Sequence, residues 1–161
     1  MDTRLVVLKL FLDELGVPSD IGTVEDRKRV QKAVYLGQLA GVDLGYRFGW
    51  YLMGPYCSTL TQDYYSLAEG LSMGENDHDG KTLLPNIRQL LHKIRPVMDV
   101  PTDTNLSQED WLELVASLHY LLKVSRFDHA TASETIRKTK PHLSEHIDQA
   151  LAVMRSCHEL A

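Results

Sequence analysis

The sequence predicts a mainly α-helical, compact domain carrying one short β element. Three observations support this. Apolar residues recur at helical spacing through the first fifteen positions and again from Trp111 to Leu122. Helix-start signatures stand at Thr23, Ser58, Ser107, Thr131 and Ser144. Only residues 46–53 combine weak alternation with dense aromatics, which suits an extended strand or short ribbon. The 161 residues fit one domain, 1–161, long enough to bury a core. Within it a helix–helix–strand–turn–helix half is expected over 1–70. A mobile loop, helix and linker follow over 71–106, then a C-terminal helical half over 107–161.

The elements follow in order. Residues 2–15 place Leu5, Leu8, Leu12 and Leu15 on one face, broadened by Val6, Val7, Leu10 and Phe11. So wide a surface predicts contact on two sides, and Gly16 with Pro18 ends the helix. Thr23 starts the second helix, Glu25 and Asp26 suit its positive end, and Val30, Ala33, Val34 and Gly37 face inward. Gly41 and Gly45 break it, and Gly54-Pro55 predicts a turn after the extended run. Ser58 caps a helix that Gly70 ends, and the polar 72–81 loop precedes a helix over Asn86–Arg95 and a linker from Pro96 to Asn105. Ser107 caps the stripe of Trp111, Leu114, Val115, Leu118, Leu121 and Leu122. Thr131 to Glu134 reads as a capping box opening a short helix that Pro141 stops, and Ser144 caps the final helix.

A formal net charge of -5 argues against wholesale nucleic-acid binding, while a local basic face on an acidic body remains compatible with it. The apolar N-terminal run is interrupted by Arg4, Lys9 and Asp13, so neither a membrane span nor a cleaved leader is expected. Cys57 and Cys157 lack ligand spacing or a disulfide framework, which suits packed thiols in a reducing cytoplasm.

Candidate chemistry is sparse. His142 and His146 are four apart, but Pro141 and the Ser144 start separate them; His78 has Asp77 and Asp79 adjacent rather than spaced as ligands. No metal and no cofactor are expected. His119 suits a general base, and a dispersed catalytic site would combine it with Tyr35 and Cys57. No nucleophile signature accompanies it, so a half-buried structural histidine is the favoured reading.

The basic cluster is more informative. Lys28 and Lys32 stack on one helix face beside Arg27 and Tyr35, while Arg29 turns elsewhere. Cations in the first half of a helix oppose its macrodipole, so either Glu25 and Asp26 pair with them or an anionic partner does. A second patch, Arg137, Lys138, Lys140 and His142, lies at a helix C-terminus, where cations are favoured anyway. Phe48, Trp50, Tyr51, Tyr56, Tyr64 and Tyr65 either seal a core edge or anchor an interface. The expected contact surface therefore comprises Arg27, Lys28, Lys32, Tyr35, Arg47, Trp50, Tyr51, Pro55, Tyr56 and Tyr64.

Arg29-Val30-Gln31-Lys32-Ala33-Val34-Tyr35-Leu36 resembles the K-L-Q-K-x-x-Y-L opening of the YwgA-like proteins, a prokaryotic group. Tyr51 to Leu60 resembles that group's aromatic–G-P-Y-S-x-x-L segment, with Cys57 where serine often follows G-P-Y. Leu114 to Leu121 resembles its L-x-A-x-x-x-Y-L helix, and Lys138 to Ser144 its K-x-K-P-x-x-S junction. The 72–81 loop is more polar than the group's pattern. The Panacea antitoxin domain shares the L-Q-K-x-x-Y and aromatic–G-P features more distantly. The resemblance implies a winged-helix-like, cytoplasmic fold without established catalysis, acting as a regulator or as part of a toxin–antitoxin or phage-defence locus.

The expected function is a non-enzymatic binding module contacting a protein partner, encoded by a neighbouring gene. A DNA-binding regulator is the second reading, with Lys28 and Lys32 on phosphates, and an enzyme with a dispersed site the third. Self-association into a homo-oligomer is compatible with each.

Overall fold

Seven α-helices and one antiparallel β-hairpin make up the computed structural model, which describes all 161 residues. The order is α1 (Thr3–Leu15), α2 (Val24–Gln38), β1 (Gly49–Tyr51), β2 (Gly54–Tyr56), α3 (Ser58–Ser72), α4 (Pro85–Ile94), α5 (Gln108–His119), α6 (His129–Thr139) and α7 (Ile147–Ser156). Short 3-10 stretches lie at Arg95–Met98, Pro141–His146 and His158–Leu160, and a π-helical turn at Tyr120–Val124 extends α5. No helix is long and apolar enough to cross a membrane.

The centre is α5, in which every residue from Trp111 to His119 is buried. Helix α2 packs along it, α1 contacts α2, α3 and α4, and α7 covers α5 from another side. One hydrophobic cluster joins side chains from all seven helices. Trp111 Nε1 donates to the Val97 carbonyl at 2.9 Å, so the largest core side chain is also polar-satisfied. Gly37 allows α1 and α2 to close: a Cβ there would lie 2.5 Å from Phe11 Cζ.

Local signals account for several ends. Thr23 Oγ1 accepts from the Asp26 amide and Asp26 from the Thr23 amide, completing a capping box. Ser107 Oγ accepts from the Asp110 amide at 3.2 Å. Gly16 takes the left-handed conformation after α1.

Other expectations are corrected. Helix α6 starts two residues before Thr131, because Asp128 accepts from the Thr131 amide and takes the cap. Ser144 lies in a 3-10 stretch, its hydroxyl donating to Pro141 O, and α7 starts only at Ile147. Ser58 is the first residue of α3 rather than its cap, and α3 continues past Gly70 to Ser72. In the 72–81 region the N-terminal amine of Met1 lies 3.5 Å from both Glu75 and Asp77.

The extended element also differs. Gly54-Pro55-Tyr56 is not the turn but the second strand, paired Gly49↔Tyr56, Trp50↔Pro55 and Tyr51↔Gly54. Leu52 and Met53 form the apex. Gly54 adopts φ +94° with its Cα against the Ser117 hydroxyl of α5, so any Cβ would meet that oxygen.

Candidate binding cavity and its lysine frame

Glu113 sits in the densest apolar run of α5 and is 3% exposed. Its Oε1 accepts from Lys28 Nζ at 2.8 Å and its Oε2 from Lys140 Nζ at 2.7 Å. Lys28 also donates to Asp110 Oδ1 at 2.7 Å. Burial disfavours the Lys28 ammonium, but the hydrogen bonds to Asp110 and Glu113 and their charges outweigh it, so its pKa lies above the ordinary lysine value. Lys140 also donates to Leu52 O at 3.2 Å and lies 5.7 Å from the Trp50 ring centroid.

Lys32 is 2% exposed and donates its one hydrogen bond to Pro55 O at 2.7 Å. Burial, reinforced by Lys140 and Lys28 and opposed by Glu113, pushes its pKa down to about 7. Lys140 thus holds a carbonyl at the hairpin apex and Lys32 one on β2, tying the hairpin to the end of α6 and to α2. Gln31 secures the hairpin's exit: its Nε2 donates to Cys57 O and its Oε1 accepts from the Cys57 amide, at 2.9 and 3.0 Å.

Between α2, the hairpin and α3 lies a cavity of about 300 Å³. Six of the ten expected contact residues line it: Arg27, Lys28, Lys32, Tyr51, Tyr56 and Tyr64. The other four lie elsewhere. Tyr35, also on α2, is buried against His119 of α5, Pro55 is buried in β2, Arg47 pairs with Asp43 at 3.1 Å, and Trp50 stacks obliquely on Tyr120.

The expected cationic surface is corrected. Lys32 is enclosed, and Lys28 is turned onto α5, whose Asp110 and Glu113 supply its counter-charge. Arg29 pairs with Asp26 at 2.9 Å, and Arg27 donates to Ile21 O at 3.0 Å. Lys140 is no free C-terminal cation either, being 1% exposed. An acid flanked by Leu112 and Leu114 in an all-apolar stripe was the signal that could have identified Glu113 as a partner for lysine.

Of the cavity's apolar rim, the expected contact surface took in Tyr51 but not Leu52, Met53, Tyr65 or Val24. Leu52 is 83% exposed, and Met53, Tyr65 and Val24 beside it are exposed as well. Tyr51, 61% exposed, leans on Tyr56 with ring centroids 5.3 Å apart.

The dispersed catalytic set is divided. The Tyr35 hydroxyl lies 2.7 Å from His119 Nδ1, and it donates when the imidazole carries its proton on Nε2. Burial, then the Lys123 charge, pushes the His119 pKa down to about 4. Burial also raises the Tyr35 phenol above its ordinary value. Cys57 is buried between Gln31 and α3, and none of these three residues lines the cavity. The ligand atoms of Asp110, Glu113 and His142 lie within 4.8 Å of one another, but Lys28 and Lys140 already occupy both carboxylates. A dication would have to displace them.

A larger depression of about 780 Å³ lies between α1 and α4; its charged side chains, Asp43, Asp77 and Lys81, are all exposed, and the Met1 amine in its lining is paired with Glu75 and Asp77. The smaller cavity brings the buried titratable side chains Lys32 and Tyr64 together with further aromatics, as ligand sites usually do. Comparison with protein-family models, curated proteins and solved structures finds no match for the chain.

Proposed function

We propose that the chain is a non-enzymatic binding module whose hairpin and adjoining cavity dock a protein partner. The observation that carries this is the apolar rim. Tyr51, Leu52 and Met53 at the apex face solvent beside Tyr65 and Val24, around one concavity. Trp50 extends the patch through a groove shared with Tyr51 and Leu52. Contiguous exposed apolar side chains are uncommon outside interaction sites, and aromatics with methionine are enriched in interface cores.

The frame suits such a role. Hairpins this short are marginal alone, yet the Lys32 and Lys140 hydrogen bonds hold this hairpin to helices. Ordering costs met on folding are not met again on binding. Under this reading the hairpin acts as the wing of a winged-helix-like arrangement. The resemblance to YwgA-like proteins supports an accessory or regulatory subunit of the toxin–antitoxin or phage-defence type. A DNA-binding role has less support, because Lys28 and Lys32, which would have met phosphates, are engaged inside.

The test is co-expression with the protein encoded beside it, measuring the stoichiometry of the purified complex. A defined complex is expected, weakened at least about tenfold by Leu52→Asp, within the hot-spot range, and unchanged by Lys138→Glu. No complex, or one indifferent to Leu52→Asp, overturns the reading.

A further inference from the structure

The lysine frame leaves an imbalance inside the cavity, and it indicates what chemistry would fill it. Glu113 gives one oxygen to Lys28 and the other to Lys140, and Asp110 goes to Lys28 as well. Lys32 has no carboxylate within hydrogen-bond distance. Its ammonium carries three N–H donors, and Pro55 O accepts from one of them. Arg27, on the same helix, donates to Ile21 O and pairs with no carboxylate. Lys32 and Arg27 thus line the cavity without a carboxylate partner, while Tyr51, Tyr56, Tyr64, Leu52 and Met53 make much of the rest of its lining apolar.

Both halves of that description constrain the occupant. A buried ammonium short of acceptors is stabilised by a hydrogen-bonded anion. The walls favour a ring or branched aliphatic group, and about 300 Å³ is enough for one large side chain and its neighbour but not for an extended polymer. We propose that the cavity binds a carboxylate on an apolar body, presented by the partner as an acidic side chain beside a large apolar one. The carboxylate lies against Lys32 and Arg27, and the apolar group lies among Tyr51, Tyr56 and Tyr64. This rests on the binding-module reading and supplies the partner's chemistry.

Binding is then linked to a proton. Lys32 faces Lys28 on its own helix, Glu113 of α5, Lys140 at the end of α6 and the Pro55 carbonyl of the hairpin, and it shares the cavity lining with Arg27, Tyr51, Tyr56, Tyr64 and Tyr65. Its pKa of about 7 rises when a carboxylate joins that set. The complex takes up a proton, so affinity falls as pH rises above 7.

The experiment uses the whole chain and three probes: 3-phenylpropionate, 3-phenylpropionamide and acetate, followed by NMR on Leu52 and Met53 methyl groups. The acid is expected to shift these signals saturably, at least about tenfold more tightly than the amide, with acetate weaker than either. Lys32→Met abolishes the preference for the acid, Arg27→Gln reduces it, and the acid weakens several-fold from pH 7 to 9. Equal affinity of acid and amide, or shifts confined to other regions, overturns the proposal. A saturating acid that leaves partner binding unchanged overturns the assignment of the carboxylate to the partner. Failure of the probes leaves the Leu52→Asp test standing, and failure of that test leaves probe binding standing.

Discussion

Lys32 Nζ donates to the carbonyl of Pro55 across 2.7 Å, joining the middle of α2 to the second strand of a hairpin twenty-three residues later in the chain. The bond is made in a dry setting by a group that would rather be neutral. One contact therefore positions the hairpin, shapes the cavity and makes stability depend on pH.

That dependence has a definite sign. Lysine ordinarily titrates at 10.5, and Lys32 is lowered to about 7 in the folded protein. Between those values the unfolded chain holds a proton that the folded protein lacks, so stability rises with pH from 7 toward 10.5. Below pH 7 both states are charged and the contribution is flat. The slope is at most about 1.4 kcal/mol per pH unit. Urea denaturation across pH 6 to 9.5 should show Lys32→Met with a flatter profile than the parent chain; parallel profiles would remove the argument.

Glu113 is expected to be the least dispensable charged residue. Glu113→Ala strands Lys140 inside and leaves Lys28 with Asp110 alone, a loss of about 3–5 kcal/mol by the behaviour of broken buried pairs. Replacing Lys28, Lys140 and Glu113 together by Met, Met and Leu should recover most of it, since neither Lys140 nor Glu113 is then left unpaired inside, while Lys32 keeps its bond to Pro55 O and the part-exposed Asp110 keeps access to water. Equilibrium unfolding of the two variants checks both statements.

The frame that these variants probe was not legible in the sequence, whereas much of the helix pattern was. Thr23 with Asp26 and Ser107 with Asp110 act over three residues, so their caps could be read directly. Lys28 finds its carboxylates eighty-two and eighty-five residues away, and Lys140 finds Leu52 O across eighty-eight. Only tertiary packing creates such pairs, so the sequence offered just Glu25 and Asp26 or an outside anion as counter-charges for this helix face. Gly54-Pro55 carried a turn signature but became a strand, because Leu52 and Met53 form the apex and Ser117 requires a glycine beside it. Thr131 lost the cap to Asp128, an equally good capping residue three positions earlier. The cavity's aromatics were visible as a cluster, while Leu52's exposure depended on the hairpin register.

Gly54→Ala tests that register. The left-handed φ of +94° and the contact with Ser117 both oppose a side chain. The expected loss is about 2–5 kcal/mol, combining left-handed strain with overpacking. Adding Ser117→Gly should recover only the overpacking portion, as a double-mutant cycle in thermal or urea unfolding would show.

The Tyr35–His119 pair sets the acid limb. His119 titrates at about 4 in the fold rather than at 6.5, so stability contributed by its neutral form is lost as pH falls from 6.5 toward 4. Imidazole NMR should place its midpoint near 4, and His119→Phe should flatten stability over that window. A midpoint near 6.5 contradicts the buried, neutral assignment.

The most direct measurement of the central claim is amide hydrogen exchange of the chain alone and in its complex with the partner. Protection is expected to gather over residues 49–56 and at Thr61 to Tyr65, where the hairpin and α3 border the cavity, with α7 unchanged. New protection on α7 with the hairpin unaffected would contradict it.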